Sequence, residues 1–196
     1  MTLESQDMEV ALRVIETLED LGLSYHLGGS IASSVHGTPR QTRDIDLAVD
    51  LPLSAVAAFV GRLQGEFYLD DERIRRAVQR KASFNLIHLG TALKIDIFVR
   101  KGEPFDRSEF QRHAPYRLVQ DPPRDVMVTS AEDIILRKML WYREGNEVSD
   151  RQWSDILGVL KAQGERLDQD YLRYWAGELG VDDLLQRALA DSDGCS

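Results

Sequence analysis

Residues 27 to 49 decide how the chain folds, and they read LGGSIASSVHGTPRQTRDIDLAV. A short apolar segment ends in a Gly-Gly-Ser turn at residues 28 to 30, and a second apolar segment carries Asp44 and Asp46. Successive side chains of a strand point to opposite faces, so residues at positions i and i+2 share a face. The stretch therefore predicts a strand, a turn, a short helix and a second strand that presents two carboxylates side by side.

Composition limits the class of protein. The chain has 196 residues, 43% hydrophobic and 29% charged, which is typical of a soluble globular protein with a core. A net charge of -9 argues against broad affinity for nucleic acid but is compatible with a local basic groove. The single cysteine, Cys195, excludes a disulfide framework, and we expect a cytoplasmic location. No segment resembles a signal peptide or an apolar span of about 18 residues, so we expect no membrane partner.

The pattern of apolar residues changes along the chain. In the first part, helical and strand patterns alternate, and residues 84 to 99 predict a hairpin. From Ser130 onward, which precedes an acidic first turn, helical patterns dominate. We therefore predict an α+β fold with a mixed sheet over residues 1–125, followed by a helical region over residues 126–196.

Three acids lie in apolar strand patterns: Asp44, Asp46 and Asp96. If their strands pair, the three carboxylates converge on one face. Such a set suits two divalent ions that stabilise the displacement of a phosphoryl group, and oxygen ligands favour Mg²⁺ or Mn²⁺. Asp96 would also be placed to act as a base toward an attacking hydroxyl. For any one of these acids taken alone, the alternative is a surface aspartate in an ion pair. For a further acid, Asp50, which directly follows the segment with Asp44 and Asp46, we favour that alternative.

The Gly-Gly-Ser turn predicts a seat for phosphate. Gly28 and Gly29 let a backbone approach a ligand closely, and Ser30 is a good N-cap for a helix whose free N–H groups attract an anion. Alone, such a turn is more often an ordinary connection between a strand and a helix. Its position just before the acid pair favours the phosphate seat.

These parts, in this order, resemble the nucleotidyltransferase superfamily typified by DNA polymerase β. The motif of that superfamily is hG[GS], then [DE]h[DE]h, then a third acid on a later strand. Here the corresponding residues are Gly29-Ser30, Asp44 with Asp46, and Asp96. Over residues 7–160 the chain is similar to a minimal bacterial branch that includes the AbiEii-type toxins.

The resemblance implies a polymerase β-like core and an enzyme that moves a nucleoside monophosphate from an NTP to an acceptor with Mg²⁺. Gly29 and Ser30 would hold the triphosphate, Asp44 and Asp46 the metal ions, and Asp96 would complete the site. The acceptor is left open between RNA (tRNA included), protein and a small molecule. Toxin function would require an antitoxin partner.

The helical half carries a further part of the resemblance. AbiEii-type relatives have a lysine followed by an R-x-x-x-[DN] element, which Lys138, Arg151 and Asp155 resemble with looser spacing. Lys138 would meet the γ-phosphate as a point charge. Its alternative is a solvated position on an amphipathic helix.

Basic residues outside the acids allow two interpretations. For the loop before Asp44 we favour a phosphate contact by Arg40 and a structural ion pair for Arg43, and we assign no role to His36. The basic helix predicted over residues 71–81 has the charge to hold an RNA acceptor, but a solvated face is the favoured interpretation.

Two other functions compete with the enzyme. A catalytically silent nucleotide-binding or interaction module would keep the fold without turnover. A glycosyltransferase would use the Asp-x-Asp pair with a sugar nucleotide, but such domains usually place a longer nucleotide-binding sheet before it. Here the pair is complete by Asp46, which disfavours that option.

Overall fold

The computed structural model describes residues 5–193, and Cys195 lies outside this range. Its strands are β1 (Tyr25–Leu27), β2 (Ile45–Val49), β3 (Phe67–Tyr68), β4 (Ser83–His88), β5 (Lys94–Val99), β6 (Ala114–Gln120) and β7 (Pro123–Val128). They form a seven-stranded sheet in the order β3-β4-β5-β2-β1-β7-β6. β2 is parallel to β5 and β1 is parallel to β7, whereas the other pairs are antiparallel. The predicted mixed sheet and the predicted hairpin, β4 with β5, are confirmed.

Helices lie between the strands along the sequence, and only helices follow β7 as far as residue 193. They are α1 (Ser5–Asp20), α2 (Gly29–His36), α3 (Val56–Leu63), α4 (Asp71–Arg80), α5 (Pro104–Arg112), α6 (Ala131–Glu144), α7 (Asp150–Gln163), α8 (Gln169–Glu178) and α9 (Asp182–Asp193). The predicted helical half begins as expected, because the side chain of Ser130 caps α6 by accepting the N–H of Asp133. No helix within residues 5–193 has the length and apolarity needed to cross a membrane.

The two faces of the sheet differ in polarity. On β2 and β5 one face carries buried aliphatic side chains: Ile45, Leu47, Val49, Ile95, Ile97 and Val99. α3 covers this apolar face, since the rings of Phe59 and Phe84 lie 6.4 Å apart between centroids, and α1 and α4 pack beside α3. The other face carries Asp46 and Asp96 and is only partly buried. A site can therefore form only on the second face of these strands.

The start of α2 differs from the prediction. The helix begins at Gly29 with Gly28 in the N-cap position, and no side chain caps it. The expectation that Ser30 is the N-cap is therefore wrong. Ser30 lies inside the first turn, where its hydroxyl accepts a hydrogen bond from Arg40.

The expected division at residue 125 falls inside β7. This strand pairs with β1, where Leu27 lies opposite Val128, and with β6. Buried side chains from before and after the division belong to one core, as Leu27 and Ile135 illustrate. The assignment of two regions stays a prediction.

Candidate active site

A cleft of about 340 Å³ opens on the polar face of the sheet. Its lining comes from α2, β2, β5, α6 and α7 and the loops beside them: Ser30, Arg40, Asp44, Asp46, Lys94, Asp96, Phe98, Lys138, Trp141, Ser149, Arg151 and Gln152. All the predicted acids lie here, together with Ser30, Arg40 and Lys138. Gly28 and Gly29 line a smaller cavity beside the cleft. The structure thus brings every predicted site residue into one region.

The sheet register places the acids. β2 and β5 are parallel, and Asp46 lies directly opposite Asp96 on the neighbouring strand. Asp44 precedes β2 and lines the same cleft. Burial, followed by the charge of Asp96, raises the pKa of Asp46 to about 6, and Lys138 opposes this shift only in part. Burial and the neighbouring carboxylate thus both disfavour the ionised form of Asp46.

Asp96 forms an ion pair that the sequence analysis does not predict. Its Oδ2 lies 2.7 Å from Nζ of Lys94, two residues earlier on the same face of β5. This hydrogen bond is the main cause that raises the pKa of Lys94. Asp96 is therefore paired with a cation of the chain itself. Across residues 5–193 no group of three His, Cys, Asp or Glu side chains is arranged to hold a metal ion.

The donor set nevertheless fits a hard divalent cation. Asp44, Asp46 and Asp96 offer only oxygen atoms, which suit Mg²⁺ or Mn²⁺, and two of them lie opposite each other in the sheet.

The glycine turn packs tightly against this carboxylate. Gly29 has a φ of +51°, which L side chains rarely adopt, and a Cβ built on it would lie 1.7 Å from Oδ2 of Asp46. The N–H of Gly28 donates to the backbone carbonyl of Asp46 over 2.9 Å. Gly29 is thus required by its backbone conformation and by the space that Asp46 occupies.

The opposite wall of the cleft is cationic and is organised by Asp155. This buried carboxylate accepts hydrogen bonds from Arg40 at 2.9 and 3.0 Å and from Lys138 at 2.8 Å. Arg40 also donates to the hydroxyl of Ser30 at 2.5 Å. Burial favours a higher pKa for Asp155, but the hydrogen bonds from Arg40 and Lys138 outweigh it and hold the pKa below its usual range.

Lys138 is only 4% exposed, so the alternative interpretation of this residue, a solvated position on an amphipathic helix, is wrong. Its ammonium group lines the cleft between Asp155 and Trp141, 5.8 Å from the indole centroid. A buried lysine needs such partners, because an isolated ammonium is costly to remove from water.

Close helix packing brings Asp155 to Arg40. A Cβ on Gly37, at the end of α2, would lie 2.8 Å from the backbone of Gly158 in α7. Gly158 follows Asp155 by three residues, so both lie on the same side of α7. The small residues let α2 and α7 approach, and the carboxylate then reaches the loop that follows α2.

The sequence analysis leaves the partner role of Asp155 open. The available signal is its place four residues after Arg151, in the element that resembles R-x-x-x-[DN]. Arg151 itself lines the cleft with an exposed side chain. Three polar cleft residues carry no earlier assignment: Lys94, Ser149 and Gln152.

The remaining basic residues lie away from the acids. Nε2 of His36 donates to the carbonyl of Thr129 over 2.7 Å, and burial lowers the pKa of His36. Nε of Arg43 lies 3.6 Å from Asp7, which confirms the structural ion pair. The basic helix, α4, packs on the apolar side of the sheet, and none of its residues lines the cleft.

Comparison of the whole fold with solved structures finds nucleotidyltransferases. The antibiotic-resistance factor ANT(2'')-Ia matches with a TM-score of 0.58 and 14% identity, over 94% of this chain and 99% of that one. An antigenic nucleotidyltransferase-like protein from Paracoccidioides brasiliensis gives 0.54 and 16%, over 96% and 94%. The lincosamide antibiotic adenylyltransferase LnuA gives 0.51 and 14%, over 81% and 98%. At these identities the likeness defines the fold.

The fold is thus that of nucleotidyltransferases. The family model for the nucleotidyl transferase AbiEii toxin of type IV toxin–antitoxin systems matches residues 16–188. This chain belongs to the AbiEii family, so the predicted family and enzyme class are confirmed. No curated protein sequence gives a significant match. The family transfers a nucleoside monophosphate to an acceptor, which is unidentified here.

Proposed function

We propose that the cleft carries out the transfer of a nucleoside monophosphate from an NTP to an acceptor with Mg²⁺ or Mn²⁺, releasing pyrophosphate. The observation that carries this proposal is the register of β2 and β5, which sets Asp46 opposite Asp96 and beside Asp44. A cationic wall across the same cleft supports it, because an NTP needs positive charge along its phosphates.

Asp44, Asp46 and Asp96 would hold the divalent ions. When bound, these ions supply positive charge between the carboxylates and the phosphates and polarise the reacting phosphoryl group. The oxygen atoms of the three carboxylates and their place on one side of the cleft support this assignment.

The triphosphate would lie between the start of α2 and the cationic wall. The glycine turn leaves the first N–H groups of α2 free, and Ser30 adds a hydroxyl to them. Arg40 and Lys138 supply positive charge from the facing side. Asp155 acts as a positioning residue, since it fixes both cations through hydrogen bonds and makes no contact that chemistry requires.

The proton of the acceptor would pass to Asp96. The attacking oxygen forms a bond to the α-phosphorus, the bond to pyrophosphate breaks, and the carboxylate of Asp96 receives the hydroxyl proton. Lys94 must release Asp96 for this step, since the two form an ion pair at 2.7 Å. RNA, tRNA, protein and small hydroxylated molecules are the acceptor classes to test. We further propose action as a toxin in the cytoplasm, where NTPs are available, with an antitoxin as partner.

A catalytically silent module is the second candidate, and the Lys94–Asp96 ion pair favours it. A lysine that neutralises the third acid removes the strongest reason to recruit a metal ion there. The two candidates differ in one property: only the enzyme needs Asp96 to be released.

The test is transfer of label from each α-labelled NTP, with Mg²⁺, to total RNA, protein extract and a panel of hydroxylated small molecules. We expect labelled product and released pyrophosphate with the wild type, and neither with Asp44→Ala or Asp46→Ala. The Asp20→Asn variant is the matched control, because Asp20 is paired with Arg62 and lines neither the cleft nor the smaller cavity. NTP-dependent stabilisation without pyrophosphate release in every mixture would favour the silent module.

A further inference from the structure

An inner cavity of about 110 Å³ adjoins the cleft on the same face of the sheet. Its lining includes Asp46, Phe98 and Trp141, which also line the cleft. From these shared residues the cavity continues along the strands to Ala48 on β2 and to Arg100 beyond the end of β5. A ligand anchored in the cleft therefore reaches the cavity by passing the carboxylate of Asp46.

His26 brings an unpaired polar atom to this cavity. The side chain lies on β1 and is 1% exposed, and among residues 5–193 its Nδ1 has no hydrogen-bond partner. Nε2 lies 3.4 Å from Oε1 of Glu109. A carboxylate can only accept, so Nε2 carries a proton, and with a neutral ring Nδ1 is an acceptor. A buried acceptor without a partner costs free energy that a donor on a ligand would recover.

The imidazole is held firmly in this position. Glu109 accepts hydrogen bonds from Arg137 at 2.7 and 3.0 Å and from Thr129 at 3.3 Å. The ring of Phe110 packs edge-on against His26 with 4.7 Å between centroids. Because these contacts fix the ring from Nε2 and from one side, Nδ1 is a preorganised hydrogen-bond acceptor.

Aromatic side chains border the cavity where it meets the cleft. The rings of Phe98 and Trp141 are 6.0 Å apart between centroids and inclined by 34°. The rest of the lining mixes apolar side chains, such as Val99, Phe110 and Ile134, with charged ones, such as Arg100, Asp106 and Arg137. Aromatic walls with fixed polar atoms suit flat heterocyclic ligands.

We propose that the inner cavity binds the base of the incoming NTP and that Nδ1 of His26 accepts a hydrogen bond from an amino group of that base. Adenine, cytosine and guanine carry such a group and uracil does not. The inference rests on the proposed function. Asp46, Phe98 and Trp141 line both spaces, so an NTP whose phosphates lie beside Arg40 and Lys138 in the cleft would extend its base into the cavity.

The test is calorimetric titration of the full chain, with Mg²⁺, by ATP, CTP, GTP, UTP and inorganic tripolyphosphate. We expect the three bases with amino groups to bind about tenfold more tightly than UTP, the effect of one lost buried hydrogen bond. His26→Gln keeps a donor toward Glu109 but moves the acceptor, because its amide oxygen is on the terminal carbon and not at the position of Nδ1. This variant should reduce the difference to about twofold and leave tripolyphosphate binding unchanged.

A second variant fills the cavity without replacing a charged side chain or His26. Ala48→Val should weaken binding of all four NTPs about tenfold and leave tripolyphosphate unchanged, so the inference stays testable if His26→Gln does not fold. Ala58→Val is the matched control, because Ala58 is exposed on α3, at the apolar side of the sheet.

Two results separate the inference from the function on which it rests. If tripolyphosphate binds but UTP binds as tightly as the other NTPs, or if both variants leave NTP binding unchanged, the base subsite is wrong and the proposed function stands. If neither tripolyphosphate nor any NTP binds, the proposed function fails and the inference fails with it.

Discussion

The two walls of the cleft are built by different means. The carboxylate wall depends on strand alternation and on the register of two neighbouring strands, which set Asp46 opposite Asp96. The cationic wall depends on long-range packing, because Arg40 from the loop after α2 and Lys138 from α6 meet at Asp155 on α7. Local sequence therefore encodes the first wall, and only the assembled helices produce the second. Substitutions on the two walls should separate activity from stability.

The largest effect is expected on the carboxylate wall. Asp46→Asn should lower the rate of nucleotidyl transfer about a thousandfold, since a metal ligand contributes several kcal/mol to the transition state. The same change should leave the free energy of unfolding without metal equal or higher, because it removes a carboxylate that burial and Asp96 disfavour. Transfer rates and chemical denaturation measure the two quantities. Loss of stability together with activity would contradict the separation.

The cationic wall should show the opposite balance. Asp155→Asn leaves the buried ammonium of Lys138 without its carboxylate, so we expect a loss of about 3 kcal/mol in the free energy of unfolding. Chemical denaturation across pH checks the cause. The native pKa of Asp155 lies below the ordinary value of 3.8. The advantage of the wild type should be complete above that value and disappear as the pH falls through the native pKa. An advantage independent of pH would exclude Asp155 as the charge partner.

The glycine turn contacts the carboxylate wall and begins the helix that leads to the cationic wall. Its substitution should therefore affect both activity and stability. Gly29→Ala places a methyl group on the carboxylate of Asp46 in a backbone conformation that alanine tolerates poorly. We expect a loss of about 2 kcal/mol in stability and reduced transfer by the folded fraction. Gly28→Ala is the matched control, because nothing lies within 4 Å of a Cβ at that position. Equal behaviour of the two variants would refute the close packing on Asp46.

The smallest effect should distinguish the two arginines of the loop before β2. Arg40→Ala should weaken NTP binding about tenfold, the cost of one charge-assisted contact. Arg43→Ala should leave binding unchanged, because its side chain is 72% exposed and reaches only Asp7. Calorimetric titration with NTP and Mg²⁺ compares them. A larger effect from Arg43 would reverse the assignment of the phosphate contact.

The sequence predicts the carboxylate wall because a period of two assigns Asp44, Asp46 and Asp96 to a face once their strands pair. It also predicts the hairpin and the helical half from apolar periodicity. Two details depend on tertiary contacts and escape that reasoning. Arg40 reaches Ser30, which is not the helix cap, and Lys94 engages Asp96. Neither of these two side-chain pairings can be read from the spacing of apolar residues or from a motif.

Packing distances decide the rest of the site. The approach of α2 to α7 depends on Gly37 and Gly158. The sequence does not show why these residues are small until the two helices are packed together. That approach makes Asp155 the partner of two cations. For the same reason the basic helix α4 lies across the sheet from the cleft, a position that charge alone does not predict.

A crystal structure of the wild type with Mg²⁺ and a non-hydrolysable NTP tests the central claim most directly. We predict a divalent ion bound by Asp46 and Asp96, with Lys94 released from Asp96, and phosphates between Ser30 and the Arg40–Lys138 wall. An NTP bound outside the cleft, or bound within it while Asp96 remains paired with Lys94 and holds no ion, would contradict the proposed active site.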